Sequence, residues 1–209
     1  MILAVDTSIG STVAVIGADG SVHARLESES PRGHAEVIGD LLARALADAR
    51  VAPDAITHVA AGMGPGPFTG LRIGIAAARA FAIGRGIPLL PVVSHDAAAL
   101  TRIEDGGPER FAVVTDARRR ENAVSVYEGV GAADVPRRTS GPELLPQAED
   151  LAARFPGAEI VHVGAIDAAR VGRIAARRMA AGLEPDVAEP LYLRSPDVVA
   201  SHSPKRVSA

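Results

Sequence analysis

The opening stretch, Ile2-Leu3-Ala4-Val5-Asp6-Thr7-Ser8-Ile9-Gly10-Ser11-Thr12-Val13-Ala14-Val15-Ile16, decides the fold because its outline occurs twice. Residues 2–5 are an apolar run stopped by Asp6, residues 12–16 are another, and the polar residues between them predict a β-hairpin. Residues 111–115 form an apolar run stopped by Asp116, followed by a polar turn and the apolar residues 123–127. Asp6 stands seven residues before Val13, and Asp116 stands seven before Ala123. One supersecondary unit therefore recurs at matched spacing.

Working outward, the turn Ala18-Asp19-Gly20 leads into a half-buried strand over 21–27, on which Val22, Ala24 and Leu26 alternate. Val37, Ile38, Leu41, Leu42, Ala45 and Leu46 then mark one face of a helix over 36–49, with Glu36, Asp40, Arg44 and Asp48 on the other. A strand over 56–61, a Gly/Pro loop over 62–68, a helix over 70–83, a strand over 87–93 and a helix over 95–103 complete the first half. After the second hairpin the pattern predicts a weak strand near 129–135, a helix near 142–154, a strand over 159–163 and a helix over 166–181. Beyond these, Leu191-Tyr192-Leu193 is strand-like and the last dozen residues read as a tail. The order strand, strand, strand, helix, strand, helix thus occurs twice, which predicts two α/β lobes, 1–103 and 104–209. The boundary falls in the turn formers Glu104-Asp105-Gly106-Gly107-Pro108, and the second copy is shorter. A single α/β domain with chance internal likeness is the alternative.

Composition narrows the chemistry. The 209 residues suit one or two domains, and 47% hydrophobic with 22% charged residues suits a chain that buries a core. Forty residues are alanine, so tightly packed helices are expected. A net charge of −3 gives no global reason to bind nucleic acid unaided. The absence of cysteine excludes disulfides, iron–sulfur clusters, thiolate catalysis and thiolate-bound zinc. Six aromatic residues are too few for a base-stacking platform. No signal-like or membrane-spanning stretch is read, so the expected location is cytoplasmic with no membrane contact.

Several residues are candidates for function. The loop Gly62-Met63-Gly64-Pro65-Gly66-Pro67-Phe68-Thr69-Gly70 lies between a strand and a helix, where phosphate loops occur. It lacks the lysine of a Walker loop and the glycine spacing of a dinucleotide fold, and its plainer reading is a rigid connection with Thr69 as helix N-cap. Gly70, Gly74, Ala78 and Ala82 recur every four residues, a smooth stripe that suits close packing against a helix of the same lobe or against a partner. Asp6, Thr7 and Ser8 at one hairpin tip, with Asp116 at the other, could hold a phosphate-bound metal across an interlobe cleft; ordinary turn chemistry is the alternative. Arg118-Arg119-Arg120 reads as a surface turn or as a contact to phosphate. The six histidines lack metal-ligand spacing, and Ser94-His95-Asp96 cannot form a catalytic triad, Ser94 being expected to cap a helix.

Ile2-Leu3-Ala4-Val5-Asp6-Thr7-Ser8, the central Gly64-Pro65-Gly66-Pro67-Phe68-Thr69-Gly70-Leu71-Arg72-Ile73-Gly74, Asp116-Ala117-Arg118 and Leu191-Tyr192-Leu193-Arg194 together resemble the TsaB (YeaZ) family, in order and over nearly the whole chain. The resemblance implies an α/β, actin-like ATPase (ASKHA, ribonuclease H-like) fold with duplicated lobes and a truncated second lobe. It implies a non-catalytic subunit for N6-threonylcarbamoyladenosine (t6A) formation on tRNAs reading ANN codons. The partner is TsaD, which carries the metal and the transfer chemistry; TsaC supplies the activated threonylcarbamoyl group, and TsaE joins a larger complex. Contact with tRNA is indirect, a homodimer can form in the absence of TsaD, and no cofactor belongs to the chain itself, ATP or ADP entering only in the complex. TsaD-like proteins carry a His-x-x-x-His pair where this chain has His95 and Ala99.

The implied interface lies on Thr69, Gly70, Leu71, Ile73, Gly74, Ala77 and Ala78, with Val37 and Leu41 of the neighbouring helix. A nucleotide contact at that interface would fall to Arg118 and Asp116. Two departures stand out: Pro67 where the family usually has serine, and Arg120-Glu121-Asn122-Ala123 where Gly-Glu-Val-Tyr usually follows the Asp-Ala-Arg motif. The competing function classes are a free-standing actin-like phosphotransferase or ATP hydrolase using Asp6 and Asp116, and an M22-type metallopeptidase.

Overall fold

The five residues of strand β1 (Ile2–Asp6) are all buried, and alternation sends them into two different cores. Leu3 and Val5 point to one side with Val13 and Val15 of β2 (Thr12–Ile16); Ile2 and Ala4 point to the other with Ala14 and Ile16. An unbroken apolar run is what a strand covered on both faces requires. The computed structural model describes residues 1–28, 33–184 and 189–194.

The first sheet adds β3 (Val22–Glu27), β4 (His58–Gly62) and β5 (Leu89–Val92) in the order β3-β2-β1-β4-β5. The first three strands are antiparallel, and β1, β4 and β5 run parallel. The second sheet contains β6 (Arg110–Asp116), β7 (Glu121–Val130), β8 (Pro136–Pro146) and β9 (Glu159–His162) in the order β8-β7-β6-β9. Its pairing repeats that of the first sheet without a fifth strand. The hairpins match in register: Asp6 faces Thr12 and Asp116 faces Asn122, with five residues between in both. This is the actin-like arrangement of a full lobe and an abbreviated copy.

Helices α1 (His34–Asp48) and α2 (Phe68–Arg85) cover the outer face of the first sheet, and the four-residue α4 (Leu151–Arg154) covers the outer face of the second. Between the sheets lie α3 (Ser94–Glu104) and α5 (Ala168–Ala180). Although α5 follows the second sheet in sequence, it packs on β1, β2 and β4, while α3 packs on β6, β7 and β8. The boundary at 103/104 separates the sheets but not the packing. Gly172 permits the exchange, since a Cβ there would lie 2.5 Å from Ile16 of the first sheet. The Thr12 hydroxyl also donates to the Ile166 carbonyl across the lobes at 2.9 Å.

Three elements differ from expectation. The weak strand expected near 129–135 comes later in the chain: β7 continues to Val130, Ala132–Asp134 makes a 3-10 turn, and the third strand is β8. The helix expected over 142–154 begins as strand β8 and becomes helix only over its last four residues: Pro142 and Pro146 withhold helix donors, and Glu143 and Leu144 pair with Val124 and Ala123. Helix formation waits for Asp150, whose carboxylate accepts from the amides of Ala152 and Ala153. Leu191-Tyr192-Leu193 forms no strand and makes a single ladder-like bond, Leu191 N–H to the Met63 carbonyl at 2.8 Å. The expected tail lies outside the described residues. Among the described residues no helix is long and apolar enough to cross a membrane.

Glu104, at the end of α3, ties the central layer together. Its carboxylate meets Arg170 at 2.9 Å, Arg173 at 3.1 Å and Arg177 at 3.4 Å, all on α5 and all largely covered. Replacing it leaves three crowded guanidiniums without their shared counter-ion. Glu104→Ala is expected to lower unfolding stability by about 1–3 kcal/mol, read as a lower midpoint in urea, with the loss reduced at high salt.

Candidate functional site: the interlobe cleft and the outer helices

Asp6 ends β1 between the Gly/Pro loop and α3, and it is 1% exposed. Its Oδ1 accepts from the amide of Ser8 at 2.8 Å and from the Ser8 hydroxyl; its Oδ2 accepts from the Ser94 hydroxyl at 2.6 Å. Ser94 in turn accepts from the Gly64 amide at 3.0 Å. Burial raises the Asp6 pKa above the ordinary carboxylate value, and the bonds from Ser8 and Ser94 oppose that rise. Gly62 must be glycine because a Cβ would stand 1.7 Å from Oδ2.

Thr7 is equally occupied. Its hydroxyl donates to the Gly70 carbonyl at 2.7 Å and accepts from the Gly74 amide at 3.1 Å, so it seats the first turns of α2 on β1. The stripe Gly70, Gly74, Ala78 and Ala82 is therefore buried inside its own lobe. A Cβ on Gly74 would fall 2.1 Å from the Thr7 hydroxyl, and one on Gly70 would fall 3.0 Å from the Thr7 carbonyl and His34. This corrects the reading of the stripe as a partner surface: Gly70, Leu71, Gly74, Ala78 and Leu41 face the lobe's own core. Thr69 is exposed within α2, and Ile73, Ala77 and Val37 are half-buried. The helix begins at Phe68 with Pro67 at its cap position, so Thr69 is not the N-cap, and Ser94 serves Asp6 instead of capping α3.

The hairpins do not face one another as matched phosphate clamps. Asp116 is exposed; its Oδ1 accepts from the Arg118 amide at 2.8 Å and its Oδ2 pairs with the Arg118 guanidinium at 3.7 Å. Arg118, Arg119 and Arg120 all hold left-handed backbone, with φ of 65°, 54° and 62°. Each such non-glycine residue costs about 1 kcal/mol or more, strain of the kind that clusters at functional loops. The arrangement by which an actin-like phosphotransferase holds ATP does not fit these residues: Asp6 is enclosed, Thr7 is engaged, and the second tip presents arginine where a glycine-rich backbone would be needed.

Between the lobes a cavity of about 410 Å³ remains, lined on one side by Pro65, Pro67 and Phe68 and on the other by Asp116, Arg118 and Arg119. Tyr192 and Arg194 close it from the C-terminal segment. Arg72 lies 3.8 Å over the Phe68 ring and donates to the Tyr192 hydroxyl at 2.9 Å; the two rings are 4.8 Å apart. Arg194 pairs with Glu121 of the second sheet. The roles of Phe68, Arg72 and Tyr192 escaped sequence reasoning, because 120 residues separate Arg72 from its tyrosine. Residues 191–194 were legible as a family motif and as a strand-like run, but not as the segment that closes the cleft.

His95 is enclosed between the lobes, with ring nitrogens 2.9 Å from the Ser125 and Thr115 hydroxyls. Burial, then the charge of Arg138, hold its pKa down to about 3, so the ring is neutral. Ala99 is buried one turn onward. Among the described residues no three His, Asp or Glu side chains are grouped to hold a metal.

The family model described as TsaD, tRNA N6-adenosine threonylcarbamoyltransferase, matches residues 27–142. A protein of Mycobacterium tuberculosis described as uncharacterized is 35% identical over 94% of this chain and 92% of its own length. The tRNA threonylcarbamoyladenosine biosynthesis protein TsaB of Escherichia coli is 33% identical over 61% of this chain and 54% of that protein. The structure of YeaZ from Pseudomonas aeruginosa superposes with a TM-score of 0.76 at 27% identity, covering 92% of this chain and 99% of that one. The chain belongs to the TsaB (YeaZ) family. Within the TsaB framework, the Asp-Thr-Ser hairpin of this chain is an internal clamp, and the residues of α1 and α2 turned away from it form the outer surface.

Two measurements check the clamp. Gly74→Ala is expected to destabilise the fold by about 1–3 kcal/mol through overpacking against Thr7, read by chemical denaturation, whereas Ala76→Ser on the exposed side of α2 leaves stability unchanged. Because the folded state raises the Asp6 pKa, it holds this proton more tightly than the unfolded chain does. The contribution of this group is therefore most favourable below the ordinary carboxylate value, falls as pH climbs through the raised folded value, and is level above it. Asp6→Asn should flatten that slope in denaturation midpoints collected from the carboxylate range to neutrality.

Proposed function

We propose that this protein is a non-catalytic subunit in t6A biosynthesis that docks on a TsaD-like threonylcarbamoyltransferase through the outward faces of α1 and α2. The observation that carries this reading is the apolar surface of α2. Ile83 is 80% exposed, and Ala80 and Ala76 are exposed one and two turns before it. Ile73 and Ala77 are half-buried beside them. The neighbouring α1 leaves Gly39, Ala43 and Ala47 exposed at four-residue intervals. Small exposed residues on two helices suit close helix-to-helix docking, and a large isolated apolar side chain at the surface suits an anchor.

Family membership supports the pathway, and the name of the Escherichia coli relative supplies the product. The enclosure of Asp6 and the neutral, hydroxyl-bound His95 support an inert subunit and weigh against a free-standing phosphotransferase or a metallopeptidase. On this reading the modified tRNAs are those reading ANN codons, contact with tRNA runs through the transferase, and TsaE joins a larger complex. The same helical surface serves a homodimer when the transferase is absent. ATP or ADP enters only in the complex, where Arg118 and Asp116 at the cleft rim would meet it; the strained arginine turn supports that role.

The test is reconstitution of t6A on a tRNA with TsaC-, TsaD- and TsaE-type proteins, with and without this chain. Modification is expected to need the chain, and modification at the same rate in its absence sinks the proposal. In copurification with the TsaD-type protein, Ile83→Asp combined with Ala76→Arg should abolish capture while leaving the melting temperature within about 2 °C, as expected of surface substitutions.

A further inference from the structure

Arg72 lies just ahead of the docking face of α2. Four-residue steps along the helix run Phe68, Arg72, Ala76, Ala80, Gly84, so one row passes from two large side chains to three small ones. Ala76, Ala80 and Gly84 are all exposed. A Cβ at Gly84 would meet nothing within 4 Å, and the same holds at Gly39, which opens the small-residue row of α1. Glycine weakens a helix, and at these two positions no neighbour inside the chain requires it, so both suit the close approach of another backbone.

A free arginine beside such a row samples many rotamers, and a partner packing there has to order it or push it aside. Arg72 is ordered in advance. Side chains on a helix lean toward its N-terminus, which carries Arg72 back over residue 68, and its guanidinium carbon lies 3.8 Å from the centre of the Phe68 ring. Its Nε donates to the Tyr192 hydroxyl at 2.9 Å, and the Tyr192 and Phe68 rings are 4.8 Å apart. Tyr192 is fixed in its turn. Leu191 before it donates its amide to the Met63 carbonyl at 2.8 Å, Arg194 after it pairs with Glu121, and the tyrosine ring packs on the outer core of the first lobe. We propose that residues 190–194 are a strap that presets the docking face: Tyr192 is a positioning residue that parks Arg72 over Phe68 and keeps the row from Ala76 to Gly84 clear for the partner. The strap's role rests on the docking of α1 and α2 proposed above and adds the part of this chain that prepares that surface.

In the full chain without partner, NMR relaxation of the Arg72 Nε–H is expected to show an ordered side chain, and a mobile one in Tyr192→Phe, which loses only the hydroxyl. In binding to the TsaD-type transferase, Tyr192→Ala should weaken affinity about threefold to tenfold, the cost of ordering one rotamer-rich side chain. Arg72→Ala should bind within about twofold of the parent, and Tyr192→Ala added to it should cost no more than about twofold, because no arginine is left to park. A purely structural role for Tyr192 would instead give the same loss in both backgrounds. That result, an Arg72 already mobile in the parent, Tyr192→Ala binding as the parent does, or Arg72→Ala weakening binding as much as Tyr192→Ala overturns the proposal. Failure of the α1 and α2 docking itself shows separately, as unimpaired binding of Ile83→Asp combined with Ala76→Arg, and removes the strap's role with it.

Discussion

The carboxylate of Asp6 is the constraint around which the first lobe is arranged. A carboxyl group taken wholly out of water carries a desolvation cost that only directed donors offset, and here the donors come from Ser8 in the hairpin and Ser94 on α3. Each donor fixes a further element: Ser94 positions the Gly/Pro loop through Gly64, and the hairpin that carries Ser8 also carries Thr7, which seats α2. The glycines at 62, 66, 70 and 74 follow from this clamp, because each lies where a Cβ would meet Asp6, Thr7, Ser8 or His34. A motif that suggests nucleotide chemistry is therefore, in this chain, a device for packing a helix and a loop onto a strand.

Exchange of α3 and α5 between the sheets joins the two lobes through a common core. Ile2, Ala4 and Ile16 of one sheet and Phe111, Val113 and Tyr127 of the other meet the same pair of helices. Alanine makes up half of the buried residues of those helices, which lets sheet and helix approach closely. Opening such a structure like a hinged phosphotransferase would uncover that shared core.

Arginine takes three different roles. On α5 it secures the helix to Glu104 and to backbone carbonyls. In the second hairpin it lines the cleft on strained backbone, and on β8 and α5 it pairs with the enclosed carboxylate of Asp96. These roles differ in what surrounds each guanidinium, and composition treats them alike.

The third strand of the second copy could not be read from residue order, since its place is set by pairing with β7. Both hairpins, the remaining elements of the first lobe and the closing strand and helix of the second could be read there, because period-2 burial and the aspartates that stop the apolar runs are local signals. So could α1, whose apolar residues keep helical spacing, and the motif residues that mark the family. The start of α4 was not legible: the pairing of 142–146 with β7 is a long-range event that overrides local pattern, and the two prolines settle it against helix there. The glycine stripe was visible, but which surface it meets was not, since that depends on Thr7 lying beneath α2. The same holds for Asp6, whose neighbours Gly62 and Ser94 are distant in sequence, and for the Phe68, Arg72 and Tyr192 cluster. Sequence alone determined the duplicated α/β order and the family, because strand and helix periodicity and contiguous motifs are local properties. Tertiary structure alone decided which motif residues are enclosed and which face outward, because burial is a property of what the rest of the chain places on top of them.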